Sequence, residues 1–456
     1  MKTFYFQPCL IYLTVALSVT GTEAAENYFT TDATRDAFSQ PIPNLTESQR
    51  LQFFQGRRLF QQVWLISPSS SEESAAIDGL GAVYNRLSCS ACHPKNGRGQ
   101  PPETPDSEMR SMLVRLSIPG QNPHGGPNPH PVYGDQLNEH GIPKVPGEGR
   151  ARIQYQEVTE ILADGEVVKL RQPTIEFVEL NFGEIDKNTL TSPRVAPPIF
   201  GLGLLEAIDQ ATLLSLADPE DKNHDGISGR VNRVWDVQTQ ATVLGRFGWK
   251  ANQPNVAQQI AGAFIGDLGI TSHLFPTENC TEAQSACRHA VSGGQPELSA
   301  QQLENITFYH FALAVPSRRI ADDPQVKVGE QLFSQLKCDA CHTPTLTTGE
   351  FPQLSALAHQ PIHPYTDLLL HDMGTQLADG RPDYEATGQE WRTPPLWGMG
   401  LIEKINGHST LLHDGRARNV LEAILWHDGE AKTSKEAVKK LSKTDRAALI
   451  EFLNSL

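Results

Sequence analysis

The sequence predicts a mainly α fold, and three observations carry that prediction. Apolar residues recur with helical period over 204–216, 256–266, 299–315 and 434–454. A helical lead-in of similar sequence precedes each of two Cys-x-x-Cys-His pentapeptides: Gln55-Gly56-Arg57-Arg58-Leu59-Phe60 before the first, Val328-Gly329-Glu330-Gln331-Leu332-Phe333 before the second. Only residues 152–171 read as a β-hairpin, with Ile153, Tyr155, Val167 and Val168 flanking an Asp164-Gly165 turn.

Taken in chain order, residues 1–25 read as a secretory signal. Lys2 supplies the positive end, residues 9–19 are apolar apart from Thr14 and Ser18, and Thr22-Glu23-Ala24 offers a cleavage site. The run is short for a bilayer, and no later segment approaches the roughly 18 uninterrupted apolar residues of a spanning helix. Cys9 lacks the small-residue context of a lipoprotein signal. The expectation is therefore an exported chain without a membrane anchor, which in a bacterium means the periplasm.

The pentapeptides are Cys89-Ser90-Ala91-Cys92-His93 and Cys338-Asp339-Ala340-Cys341-His342. Each is the attachment signature of a c-type haem: the thiols add across the vinyl groups, and the adjacent imidazole becomes the proximal iron ligand. One copy could be chance or half of a zinc site. Two, each with a helical lead-in and a loop behind it, point to two covalently bound haems. They lie 249 residues apart (338 − 89), which implies separate haem domains. The expected architecture is thus two cytochrome c-like haem domains, 26–321 and 322–456, with loop and small β-hairpin insertions in the first. The Pro/Gly-rich stretch 119–149 is the loop, and Asp322-Asp323-Pro324 opens the second domain.

Of seven cysteines, Cys9 leaves with the signal and four belong to the pentapeptides. Cys280 and Cys287 remain, as a structural disulfide or a redox-active dithiol. The net charge of −15 disfavours nucleic acid and anionic membranes, and suits a basic redox partner by electrostatic steering. Asp221, Asn223 and Asp225, with Gly226 at the sixth position, resemble the first half of an EF-hand loop. Asn232 stands where the bidentate Glu would be, so the loop reads as a weakened calcium site or as a solvated turn.

Toward the C-terminus, Trp391-Arg392-Thr393-Pro394-Pro395-Leu396-Trp397-Gly398, then Leu411-Leu412-His413-Asp414-Gly415-Arg416 and Val420-Leu421-Glu422-Ala423-Ile424, form a run with a known likeness. It resembles the bacterial di-haem cytochrome c peroxidase/MauG superfamily. Residues 193–208 and 367–374 resemble its di-haem oxidoreductase ("thiol oxidoreductase") branch. The resemblance implies a peroxidatic first haem and an electron-transferring second haem. It places the second haem's sixth ligand at His427, where the peroxidases use Met and MauG uses Tyr; Met373 and Met399 are the substitutes. It makes Trp249 an inter-haem tryptophan, Gln259 the pocket glutamine and Asp267 the acid–base group in place of a glutamate. The plainer readings are a core tryptophan and a turn-capping aspartate. His413, and less directly His371, would order the haem surroundings. Met109, Met112, His124, His130 and His140 are open choices for the first haem's sixth ligand.

The implied function is a periplasmic di-haem oxidoreductase reducing hydrogen peroxide, fed by a small periplasmic donor of cytochrome c or cupredoxin type. Oxidation of a protein or small-molecule substrate in the manner of MauG is the alternative enzyme. A non-catalytic electron-transfer protein is the third reading.

Overall fold

The computed structural model describes Met1 and residues 28–69, 71 and 77–456. The remainder of the signal-peptide reading lies outside the described residues. Six helices frame the site: α1 (Glu47–Gln61), α2 (Val256–Leu268), α3 (Ala300–Phe311), α4 (Pro324–Gln335), α5 (Val420–Trp426) and α6 (Lys443–Ser455). Each begins where the sequence supplies a cap. Thr46 with Gln49 and Ser299 with Gln302 form capping boxes, and Asn255, Asn419 and Ser442 each accept a backbone N–H three residues on. Asp323 caps α4, with Pro324 filling the first position, where a missing N–H costs nothing.

The repeated lead-ins sit on α1 and α4, and their glycines explain the repeat. α1 crosses α3 at Gly56, where a built Cβ would lie 2.1 Å from the Asn305 carbonyl oxygen. α4 crosses α6 at Gly329, where the same atom would lie 2.0 Å from the Ala448 carbonyl oxygen. The backbones meet so closely that only glycine fits. Four residues on, Phe60 and Phe333 fall on the same face of their helices. Phe60 packs 6.2 Å from the ring of His93, and Phe333 6.4 Å from that of His342.

The expectation of a mainly α chain of two cytochrome c-like domains is overturned. The structure is about 30% helix and 20% strand, with seven sheets among the described residues, none wider than three strands. Strand β1 (Met112–Gln121) overlaps the start of the segment read as loop, and β2 (Arg150–Ile161) and β3 (Val167–Val178) form the expected hairpin at greater length. Strand β4 (Leu190–Val195) pairs antiparallel with β1, from Met112↔Val195 to Ser117↔Leu190. That ladder joins segments with no turn between them, so no hairpin signal marks it. Its only local trace is the alternation of buried Met112, Val114 and Leu116. The helices do not partition the core either. One apolar cluster unites Phe38, Phe53, Phe264 and Tyr309 with Leu357, Ile362, Leu401 and Ile405.

The hairpin reaches across to the C-terminal helices. Arg446 on α6 pairs with Asp164 and Glu166 at its tip (2.9 and 2.6 Å), and Lys439 pairs with Glu160 at 2.8 Å. The stretch read as one helix over 434–454 is two, broken before the Ser442 cap. Cys280 and Cys287 form a disulfide. No helix among the described residues is long and apolar enough to cross a membrane.

Candidate functional site

A single cavity of about 430 Å³ runs between the two pentapeptides and touches Cys89, Cys92 and His93 at one end and Cys338, Cys341 and His342 at the other. The four thiols are unpaired. Burial pushes those of Cys89, Cys92 and Cys338 up to about 12, and also raises that of Cys341. They are neutral thiols, not thiolates poised for zinc or exchange.

His93 Nδ1 lies 2.7 Å from the Pro197 carbonyl and His342 Nδ1 lies 3.0 Å from the Tyr365 carbonyl. A carbonyl only accepts, so each Nδ1 carries the proton and each Nε2 keeps a free lone pair. Burial pushes both imidazoles down to about 4, so both are neutral near pH 7. His427, at the end of α5, repeats the arrangement: Nδ1 bonds the Ala423 carbonyl at 2.7 Å, burial lowers its pKa, and the ring lines the cavity. Met373 and Met399 also line the cavity, but neither carries such an orienting bond.

Two tryptophans also line the cavity. Trp249 is buried, donates Nε1–H to the Val195 carbonyl at 2.9 Å, and has the Arg98 guanidinium 5.3 Å over its ring. Trp391 stacks on His413 at 3.6 Å and carries the Lys250 ammonium 4.4 Å over its ring. Burial drives His413 down to about 3, against the opposing charge of Asp414, so it is a neutral ring in the wall. Trp391 opens the motif quoted above, but nothing in the sequence announces the stack.

On the first side, α2 lays Gln259 and Asp267 along the cavity. Asp267 Oδ1 accepts from Gln136 Nε2 at 2.9 Å, and burial raises its carboxyl pKa against the pull of Arg115 and Gln136. Its side chain does not cap the turn at Gly269; it faces Gln136. Gln136 and Arg115 come from β1 and its neighbourhood, so the lost strand is also why sequence reading misses them.

The other candidates divide. Met109 and Met112 line the first end, whereas His124, His130 and His140 do not line the cavity. His124 stacks on Trp235, His130 accepts backbone N–H groups of its own turn, and His140 meets Arg86 and Tyr84. His310 on α3 is a cavity-lining histidine the sequence does not single out; Nδ1 bonds the Ile306 carbonyl at 2.7 Å. His371 is held between Asp367 (2.8 Å) and Glu430 (2.7 Å) beside Cys341. Burial opposes its charge, yet the hydrogen bonds with Asp367, Cys341 and Glu430 raise its pKa well above normal.

Asp221, Asn223 and Asp225 gather in an exposed loop where Asp221 carboxylate oxygens accept the Asp225 and Gly226 N–H groups. Asn232 is buried and already spent: Nδ2 donates to the Lys250 and Asp383 carbonyls, and Oδ1 accepts the Glu385 N–H. The twelfth position of this loop therefore contributes no ligand.

Residues 15–456 match the family model described as "Di-haem oxidoreductase, putative peroxidase". The chain belongs to the di-haem oxidoreductase family. No match was found among curated proteins or among solved structures.

A di-haem oxidoreductase needs two haems, and the residues present fit them. His93 and His342 are oriented as neutral ligands at opposite ends of one apolar-walled cavity. Arg98 Nε and Arg194 Nη2, both of cavity-lining residues, are buried without a partner, which suits the anionic carboxylates a haem would bring.

Proposed function

We propose that this protein is an exported, periplasmic c-type di-haem enzyme that reduces hydrogen peroxide to water with two electrons and two protons. The carrying observation is the shared cavity: both pentapeptides open into it, and Trp249, Trp391 and His413 line the same cavity. In this reading Cys89, Cys92, Cys338 and Cys341 hold the haems through thioethers, with His93 on the reactive iron and His342 and His427 on the relay iron. Bound haem iron supplies the electron chemistry. Two imidazoles on the relay iron would close it and give a lower potential than His/Met ligation.

The chain's own part is positioning and proton handling. Asp267, with its carboxyl pKa raised, would take a proton at Oδ2 from one peroxide oxygen and return it to the other as the O–O bond breaks. Gln136 fixes Oδ1 and so orients the carboxylate. Gln259 offers an amide N–H along the same wall. The electrons come from a small periplasmic donor of cytochrome c or cupredoxin type, steered by the acidic surface.

Storage of an oxidising hole on tryptophan, as MauG-like chemistry would use, is disfavoured by the cations over both rings, Arg98 on Trp249 and Lys250 on Trp391. The deciding experiment is a pyridine-haemochrome and intact-mass measurement for covalent haem, followed by peroxide consumption by the reduced protein. Two thioether-bound haems and catalytic peroxide loss are expected. Haem lost on acid extraction, or no peroxide loss at any redox state, defeats the proposal.

A further inference from the structure

The outer face of α1 leaves apolar side chains exposed. Phe53, Gly56 and Phe60 turn inward and are buried. Leu51, Phe54, Arg58 and Gln61 recur at i, i+3, i+7 and i+10, on the opposite, exposed side of the helix. The apolar character continues past the helix end. Val63 and Leu65 face outward on either side of buried Trp64, and exposed Ile66 follows them. Five exposed large apolar side chains thus fall between Leu51 and Ile66; no other stretch of that length among the described residues holds more than two. Single exposed leucines need no explanation, whereas a cluster rimmed by polar groups marks an interaction site.

This face adjoins the first pentapeptide. Trp64 donates its backbone N–H to the Leu87 carbonyl at 2.9 Å, and Leu87, also exposed, stands two residues before Cys89. On the inner side of α1, Phe60 packs against His93. The outer face and the first pentapeptide histidine therefore stand on opposite sides of one helix, a thickness of about 10 Å.

The charge of the face is opposite to that of the chain. The whole carries −15, yet α1 sets Arg50, Arg57 and Arg58 against Glu47 alone. None of the three arginines pairs with a carboxylate among the described residues. Charges farther away than about 8 Å are largely screened at physiological ionic strength, so the local cations govern what docks here. Phe54, Arg57, Arg58, Gln61, Gln62 and Val63 enclose a hollow. Its walls offer two apolar side chains, two guanidiniums and two amides. A flat lipid surface has nothing to seat in a hollow, and a second copy would set one basic face against another. Guanidiniums hold carboxylates through paired hydrogen bonds, and an apolar centre with arginine beside it is the usual anatomy of a protein interface.

We propose that this face docks an acidic protein, which seats an apolar side chain flanked by carboxylates in the hollow beside the first pentapeptide. A basic donor, steered by the acidic remainder of the surface, is repelled here, so partners of opposite charge sort to different faces. Docking at this face is independent of peroxide chemistry.

Isothermal titration calorimetry of the holoprotein at low ionic strength tests this with two probes, a small acidic cupredoxin and a basic cytochrome c. The unaltered protein should bind the acidic probe, with affinity falling as salt is added. Arg57→Glu with Arg58→Glu should weaken that binding by about tenfold or more, through loss of two charge-assisted contacts. Leu51→Ser with Phe54→Ser should weaken it as well, and neither pair should reduce binding of the basic cytochrome. Arg58→Glu alone, at an exposed position, should give a smaller loss with haem content and thermal midpoint unchanged. No binding of the acidic probe, equal binding by the charge-reversed protein, or equal loss of both probes overturns the assignment. So does a different occupant: cosedimentation with vesicles of anionic phospholipid, or dimerisation in sedimentation velocity, that Leu51→Ser with Phe54→Ser abolishes.

Discussion

The α4–α6 crossing makes a prediction whose sign is informative. Replacing a helical glycine with alanine normally stabilises a protein by about 0.5–1 kcal/mol, because glycine loses more backbone freedom on folding. At Gly329 the added methyl would sit 2.0 Å from the Ala448 carbonyl oxygen and 2.7 Å from the Ala448 carbonyl carbon and the Phe452 Cβ. Unstrained contacts to carbon need about 3.5 Å. The obstructing atoms are backbone and Cβ, so no flexible side-chain end can yield, and α6 must retreat by more than an ångström. Overpacking of this kind costs about 1–3 kcal/mol or more. Gly329→Ala is therefore expected to destabilise the holoprotein by about 1–2 kcal/mol net, and Gly56→Ala, with its methyl 2.1 Å from the Asn305 oxygen, by a similar amount. Gly262→Ala is the internal control: it lies within α2, and its nearest neighbour would be 3.8 Å away, so propensity should win and stability rise by about 0.5–1 kcal/mol. Urea unfolding of the three variants decides the matter through the midpoint at unchanged m. If Gly329→Ala and Gly262→Ala stabilise alike, the close crossing is not as described, and the placement of Phe333 against His342 goes with it.

Further outcomes follow from the buried charges and the disulfide. Asp267→Asn should lower peroxide turnover by about two to four orders of magnitude, the usual contribution of a positioned acid–base group. It should also remove an acid limb in kcat/KM: the raised pKa means the base is lost as pH falls through a value above 3.8. A turnover profile unchanged by the substitution rules Asp267 out. Burial alone would raise the Asp414 carboxyl, but Arg416 at 2.7 Å and the other partners hold it down to about 2. Its charged form thus contributes about 2 kcal/mol at neutral pH, lost as pH falls from about 4 to about 2. Asp414→Asn should flatten the stability curve in that window, as measured by pH-dependent urea unfolding. The double substitution Cys280→Ser with Cys287→Ser opens a short loop and should cost about 2–3 kcal/mol of stability with peroxide turnover unchanged; abolished turnover in a folded protein would make the pair part of the chemistry.

What was legible in the sequence follows from the range over which each feature is encoded. The pentapeptides and the hairpin turn are local, and each was readable where it stands. The lead-in repeat was visible too, although its cause was not: Gly56 and Gly329 matter because of Asn305 and Ala448, and no property of the lead-in names those partners. The β1–β4 ladder was illegible for the same reason, since Met112 and Val195 meet without a connecting turn. Losing that ladder cost more than the fold class, because it also hid Arg115 and Gln136, which set the charge and orientation of Asp267. The starts of α2 and α5 are the intermediate case: Asn255-Val256 and Asn419-Val420, each with an Ile four residues after the valine, are plain in the sequence, yet only the structure shows that both helices line one cavity, where Ala263 and His427 stand seven residues after the two valines.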